Sequence, residues 1–186
     1  MELKNNDLVM GSSGRIGDQL VYRQRGGKTI IAKRPRRTGI PPSAMQLEVQ
    51  ELFSEAVLYA KSVIADEAKK AIYKAKAKSN QSAYNLALSD FCRVPEIKKY
   101  NISDYAGQVG DEISIRVLDD FKVDWVKLLI KDSADSTIEE GLAVLSANKA
   151  DWIYKATAIN PSLAGSKLII SAADLPGNIS TLEVIL

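Results

Sequence analysis

The side chains that most often carry chemistry are scarce in this chain. It has no histidine and a single cysteine, Cys92. Without histidine the usual general base near neutral pH is missing, and so are the Ser-His-Asp and Cys-His arrangements. One cysteine cannot close an intrachain disulfide or, without histidine, build a Cys/His zinc site. Cys92 follows Phe91 at the end of an apolar helical pattern and is expected to pack as a small buried hydrophobe. What remains for catalysis is carboxylate pairs, lysine or a hard metal ion.

None of these gives a positive signal. Gly27-Lys28-Thr29 has the ending of a phosphate-binding loop, but Tyr22 stands where the first glycine of that motif belongs, and no strand-loop-helix context surrounds it. Gly11, Gly14 and Gly17 are spaced glycines in a small-residue loop, again without that context. Glu139-Glu140 is a carboxylate pair in sequence only, because neighbours on a strand point to opposite faces. Asp119, Asp120, Asp124, Asp132 and Asp135 cluster around predicted strand loops, where oxygen ligands can hold calcium; no EF-hand spacing is present, and solvated loop tips are the simpler reading. No catalytic, cofactor-binding or metal-binding residue is assigned, and the expectation is a protein that is not an enzyme.

The strongest local feature is electrostatic. Arg15, Arg23, Arg25, Lys28, Lys33, Arg34, Arg36 and Arg37 stand against a single acid, Asp18, in 23 residues. A basic segment of this kind can meet an acidic protein surface, sit on nucleic-acid phosphates, or guard an exposed strand edge with charge. Tyr22 is its only aromatic, so the stacking platform of a single-strand binder is missing. Arg23, Arg25, Lys28, Lys33, Arg34, Arg36 and Arg37 are the expected partner-binding residues. The asymmetry extends over the chain: residues 1–98 carry 17 basic and 10 acidic side chains, and residues 99–186 carry 8 and 13. A basic half thus precedes an acidic half, and opposite charges on two ends can steer copies together.

The elements that must position these charges follow from the pattern. Residues 1–10 read as an arm. Asp18–Gln24 and Lys28–Lys33 are strands joined at Arg25-Gly26-Gly27, since paired glycines accept positive φ. Ser43 and Gln46 form a capping box. The helix it opens places Met45, Val49, Leu52, Phe53, Ala56, Ala60, Val63 and Ile64 on one apolar face. Asp66 opens a second helix to about Lys78, Ser82–Cys92 gives a third, and Pro95 closes it. From about Tyr100 the period drops to 2. Six or so short strands separated by turns indicate an antiparallel sandwich, whose core is expected to include Trp125 and Trp152. The fold class is α+β: a hairpin and short helical bundle over 1–98, then an immunoglobulin-like sandwich over 99–186.

Two stretches carry a resemblance. Gly11–Arg37 (GSSGRIGDQLVYRQRGGKTIIAKRPRR), a proline-containing linker and Ser43–Lys61 (SAMQLEVQELFSEAVLYAK) resemble the N-terminal pattern of an uncharacterised family of bacterial and prophage proteins. DDFKV (119–123), IEEGLA (138–143), WIYKATA (152–158) and AADLPGN (172–178) resemble bacterial immunoglobulin-like domains, with the Asp174-x-x-Gly177-Asn178 turn before the last strand. The resemblance implies a structural component of a phage-like particle, a capsid decoration or tail-associated protein. It implies protein partners in a multi-copy, oligomeric assembly, and virion association after synthesis in the cytoplasm; the N-terminus lacks the pattern of a secretory signal, and no apolar run is of membrane-spanning length. It carries over no catalytic residue. The competing readings are a nucleic-acid-binding protein using residues 15–37 and a carbohydrate-binding or adhesive module built on exposed tryptophan.

Overall fold

The computed structural model describes residues 8–35 and 39–186. The N-terminal sheet has three antiparallel strands, β1 (Gly14–Ile16), β2 (Leu20–Arg25) and β3 (Lys28–Lys33), in that order. β1 lies in the segment read from sequence as a loop. Three residues are too few to show a period, and pairing with Leu20–Tyr22 makes the strand. Gly26 and Gly27 have φ of 57° and 74°, the two positive values that a tight two-residue hairpin turn needs. Arg25 therefore belongs to the strand and pairs with Lys28.

Three helices follow, the first two started by their expected caps and the third by Ser82. Ser43 accepts from Gln46 N while Gln46 Oε1 accepts from Ser43 N at 2.9 Å, opening α1 (Ala44–Ala65). Asp66 Oδ1 accepts from Ala68 N and Lys69 N at 2.9 and 3.1 Å and opens α2 (Glu67–Lys76). Ser82 Oγ accepts from Asn85 N at 3.1 Å and opens α3 (Ala83–Phe91). Ala60, Val63, Tyr73 and Ala87 form the buried centre of this bundle.

Eight strands complete the chain: β4 (Glu96–Asn101), β5 (Glu112–Leu118), β6 (Val123–Lys131), β7 (Thr137–Leu142), β8 (Val144–Leu145), β9 (Asp151–Lys155), β10 (Lys167–Asp174) and β11 (Ile179–Ile185). They form two antiparallel sheets, β4-β5-β9-β8 and β11-β10-β6-β7. The chain changes sheet at Ala143, between β7 and β8. Alternate residues of the two inner faces fill the core: Ile113, Ile115 and Val117 from one sheet, and Val126, Leu128, Ile130, Leu168 and Ile170 from the other. Each such side chain is worth about 1.5–3 kcal/mol of burial, which lets the sandwich hold without a disulfide.

Two expectations about the core are corrected. Trp125 is not in it. Val126, Leu128 and Ile130 point inward, so Trp125 shares the outer face with Lys127 and Leu129. A one-residue change of phase moves every side chain of a strand to the other face, and β6 is apolar enough in both phases that the bulky ring misleads; Lys127 is the residue that fixes the phase. Trp152 is half-buried and packs against the core beside Tyr154. Cys92 is exposed, because it stands at the C-cap of α3 where the chain leaves the bundle.

The helices sit on one end of the sandwich. Phe121, from the β5–β6 loop, is buried in the helical cluster, and Leu175, from the β10–β11 turn, packs against it. That end of the sandwich is covered by the protein's own helices.

Candidate interaction surfaces

In an antiparallel sheet, side chains directly opposite each other share a face. The register Arg15↔Val21↔Ala32, Arg23↔Ile30 and Arg25↔Lys28 therefore collects Arg15, Arg23, Arg25 and Lys28 on one face of the N-terminal sheet, around half-buried Val21 and Ile30. Leu20, Tyr22, Gln24, Thr29, Ile31 and Lys33 occupy the other face. Tyr22 and Thr29 are buried there, and the loop before β1 is tied down: Gly11 N and Gln24 Nε2 both donate to Thr29 Oγ1, at 3.0 and 2.8 Å, while Gln24 Nε2 also donates to Ser12 O at 2.7 Å.

The expected basic set is thus divided. Arg23, Arg25 and Lys28 come together and gain Arg15, while Lys33 lies on the opposite face. Arg34 lies beyond the end of β3 and pairs with Asp18. Arg36 and Arg37 lie outside the described residues. Alternation along β2 already separates Arg23 and Arg25 from Tyr22; the contribution of Arg15 needs β1, which had no signal of its own.

A second surface lies on the apolar face of α1. Met45, Val49, Leu52 and Phe53 continue, at helical spacing, the stripe that Ala56, Ala60 and Val63 bury against the bundle. They are 77%, 65%, 42% and 53% exposed. Every residue from Ala44 to Glu55 is exposed, so about 18 Å of helix stands clear of the fold. The reason is length: α1 has 22 residues, whereas α2 and α3 have 10 and 9 and cover only its C-terminal half. Glu48, Glu51 and Glu55 line one flank of the bare stripe. No lysine or arginine occurs from Ala44 to Ala60, and among the described residues none of these glutamates has an ion-pair partner.

The densest polar cluster lies at the junction of helices and sandwich. Tyr73 Oη donates to Asp90 Oδ2 at 2.6 Å and is 2.8 Å from Tyr59 Oη. The Tyr73 ring stacks on Phe121 at 4.3 Å. Lys76 Nζ lies 4.4 Å from the centre of that ring and donates to Phe121 O at 2.5 Å. Burial raises the Asp90 carboxyl to about 6, helped by the charges of Asp119 and Asp174 and opposed by the Tyr73 hydrogen bond and Lys76. Burial and the bond to Asp90 raise the Tyr73 hydroxyl far above the usual tyrosine range. Asn178 Nδ2 donates to Asp174 Oδ2 at 2.7 Å and to the carbonyls of Phe91 and Arg93 at 3.2 and 3.0 Å. These contacts lock the bundle to the sandwich, and each polar group in them is spent on a structural bond except Asp90 Oδ1, buried without a partner.

Several loop carboxylates are similarly occupied, although Asp119 Oδ1 and Glu139 Oε1 are buried without a partner. Asp119 Oδ2 accepts from Phe121 N and Lys122 N, and Asp132 Oδ1 from Ala134 N and Ser136 N. Asp135 pairs with Lys167 and Lys131 at 3.0 and 3.1 Å, and those ammonium groups hold it below the usual carboxylate range. Glu139 and Glu140 do point apart. Glu140 pairs with Lys127 at 2.6 Å. Glu139 is buried, and its Oε2 accepts from Tyr154 Oη, Thr157 N and Thr157 Oγ1 at 2.7–2.9 Å. Among the described residues no three metal-ligating side chains converge, and no helix is long and apolar enough to cross a membrane. No protein-family model, curated protein or solved structure matches the chain.

Proposed function

We propose that this protein is a non-enzymatic assembly component, present in repeated copies in a phage-like, virion-associated particle. The observation that carries this reading is the bare half of α1. A stripe of large apolar side chains, continuous with the core-facing stripe of the same helix, is left in water over three turns. Contiguous apolar surface of this kind marks a site that a partner covers. The basic sheet face supplies a second surface of opposite character to the glutamate flank. The capsid or tail setting rests on the sequence resemblance. Sedimentation of the full chain over a wide concentration range tests the reading: concentration-dependent association supports it. A strictly monomeric protein, found free of any particle in its native source, would overturn it.

The second reading is a nucleic-acid contact through Arg15, Arg23, Arg25 and Lys28, favoured by their collection on one face. Phosphate contacts make affinity fall steeply with salt. Mobility shift at two salt concentrations separates the readings, since no shift at low salt removes the polyanion. An adhesive module has less support, because Trp125 and Trp152 are both half-buried and a sugar platform needs an uncovered ring.

A further inference from the structure

We propose that the bare stripe of α1 is the seat for the basic sheet face of a second copy, so that copies join head to tail. The inference rests on the assembly reading and names its contact.

Three features select this occupant. The first is charge. Glu48, Glu51 and Glu55 on α1 and Arg15, Arg23 and Arg25 on the sheet form no ion pair among the described residues. Three unneutralised acids thus flank one surface and three unneutralised arginines stand on the other. Pairing two α1 ends would bring no cation to the glutamates, since none lies between Ala44 and Ala60.

The second feature is polarity. The stripe is apolar with an acidic flank, and the sheet face has Val21 and Ile30 among its arginines. Each therefore offers an apolar centre with a charged rim, the usual anatomy of a protein contact. The third is availability. The chain's own sheet is placed elsewhere, with the Gly26 turn against the Asn80 side chain, where an added Cβ would fall 2.8 Å from Nδ2.

Because the two surfaces differ, the contact is heterologous: each copy keeps one free seat and one free sheet face, and addition continues into a ring or filament. The seat is about 18 Å long and small beside a standard interface of ~800 Å² per partner. A single contact is therefore weak, and stability comes from repetition.

A charge swap on the full chain tests this. Sedimentation velocity at low salt and at protein concentrations up to about 200 μM suits a weak contact. R23E/R25E and E48K/E51K/E55K are each expected to weaken self-association at least about tenfold. All five positions are exposed, so circular dichroism and melting should match the parent. Mixing the two variants gives complementary charge at both kinds of junction, Glu against Arg and Lys against Glu, and is expected to restore association in alternating order. M45S/F53S should also dissociate the assembly without lowering the melting point. If the parent associates and neither reversal changes it, or if the mixture stays monomeric, the head-to-tail contact is wrong while assembly stands. A parent that stays monomeric throughout overturns both.

Discussion

Asp90 gives the sharpest physical test of the junction between helices and sandwich. Its carboxyl is 2% exposed and holds the Tyr73 hydroxyl through Oδ2, and burial moves it from 3.8 to about 6. A carboxyl with a raised folded-state value binds its proton more tightly when folded. The stability this contributes is fully present below the unfolded value, near 3.8, and is lost as pH rises through about 6. A displacement of roughly two units corresponds to on the order of 3 kcal/mol over the whole range. Between about pH 4.5 and 7.5 the share lost is about 2 kcal/mol, because the unfolded-state carboxyl is already mostly ionised at the lower end. D90N keeps an oxygen to accept from Tyr73 and cannot ionise. Urea unfolding of the parent and D90N at both pH values reads the difference, since titrating groups that do not interact with Asp90 cancel. The parent should lose about 2 kcal/mol relative to D90N on going to the higher pH. Parallel pH profiles for the two proteins would refute the argument, and so would a D90N that is less stable at neutral pH by more than it is at acid pH.

Other substitutions probe the same architecture. F121A removes the ring stacked on Tyr73 and should cost about 3–4 kcal/mol, read by denaturant unfolding, with the helical signal lost before the sheet signal. W152A should destabilise the sandwich by several kcal/mol and W125A by less than half as much, because only Trp152 packs against the core; equal melting points for the two variants would contradict the phase of β6. G26A places a Cβ at a positive φ and against Asn80, so a loss of about 1–2 kcal/mol, confined to amide protection in β1–β3, is expected from hydrogen exchange.

How much of this could be read in the sequence depends on whether local chemistry or tertiary cover decides the outcome. Ser43, Asp66 and Ser82 each open a helix, because a cap is made within a few residues. Gly26-Gly27 turns the hairpin for the same reason. The alternation of Ile113, Ile115 and Val117 put the right face of β5 inward. β4 is less legible, since Glu96–Asn101 has neither strict alternation nor bulk, and it is a strand because the edge of β5 pairs with it. Trp125 misleads because β6 is apolar on both faces. The periodicity of α1 correctly shows an amphipathic helix, but it cannot show that α2 and α3 are too short to cover it. The missed surface is therefore a matter of comparing element lengths. The division of the basic set turns on β1, three residues whose pairing alone aligns Arg15 with Arg23 and Arg25.

The Asn178 side chain grips the carbonyls of Phe91 and Arg93, more than 80 residues earlier in the chain. Contacts of such separation form late, since a long loop must close before they repay their entropy. During synthesis α3 emerges well ahead of the turn that fastens its end, and Leu175, which packs on the helical cluster, comes with that same turn. The C-terminal half of α1 is held through this cluster, by Ala60 and Val63. A chain truncated before Asp174 would lack the turn that fastens the end of α3, so the helical bundle reaches its final mounting on the sandwich only when the last hairpin is complete.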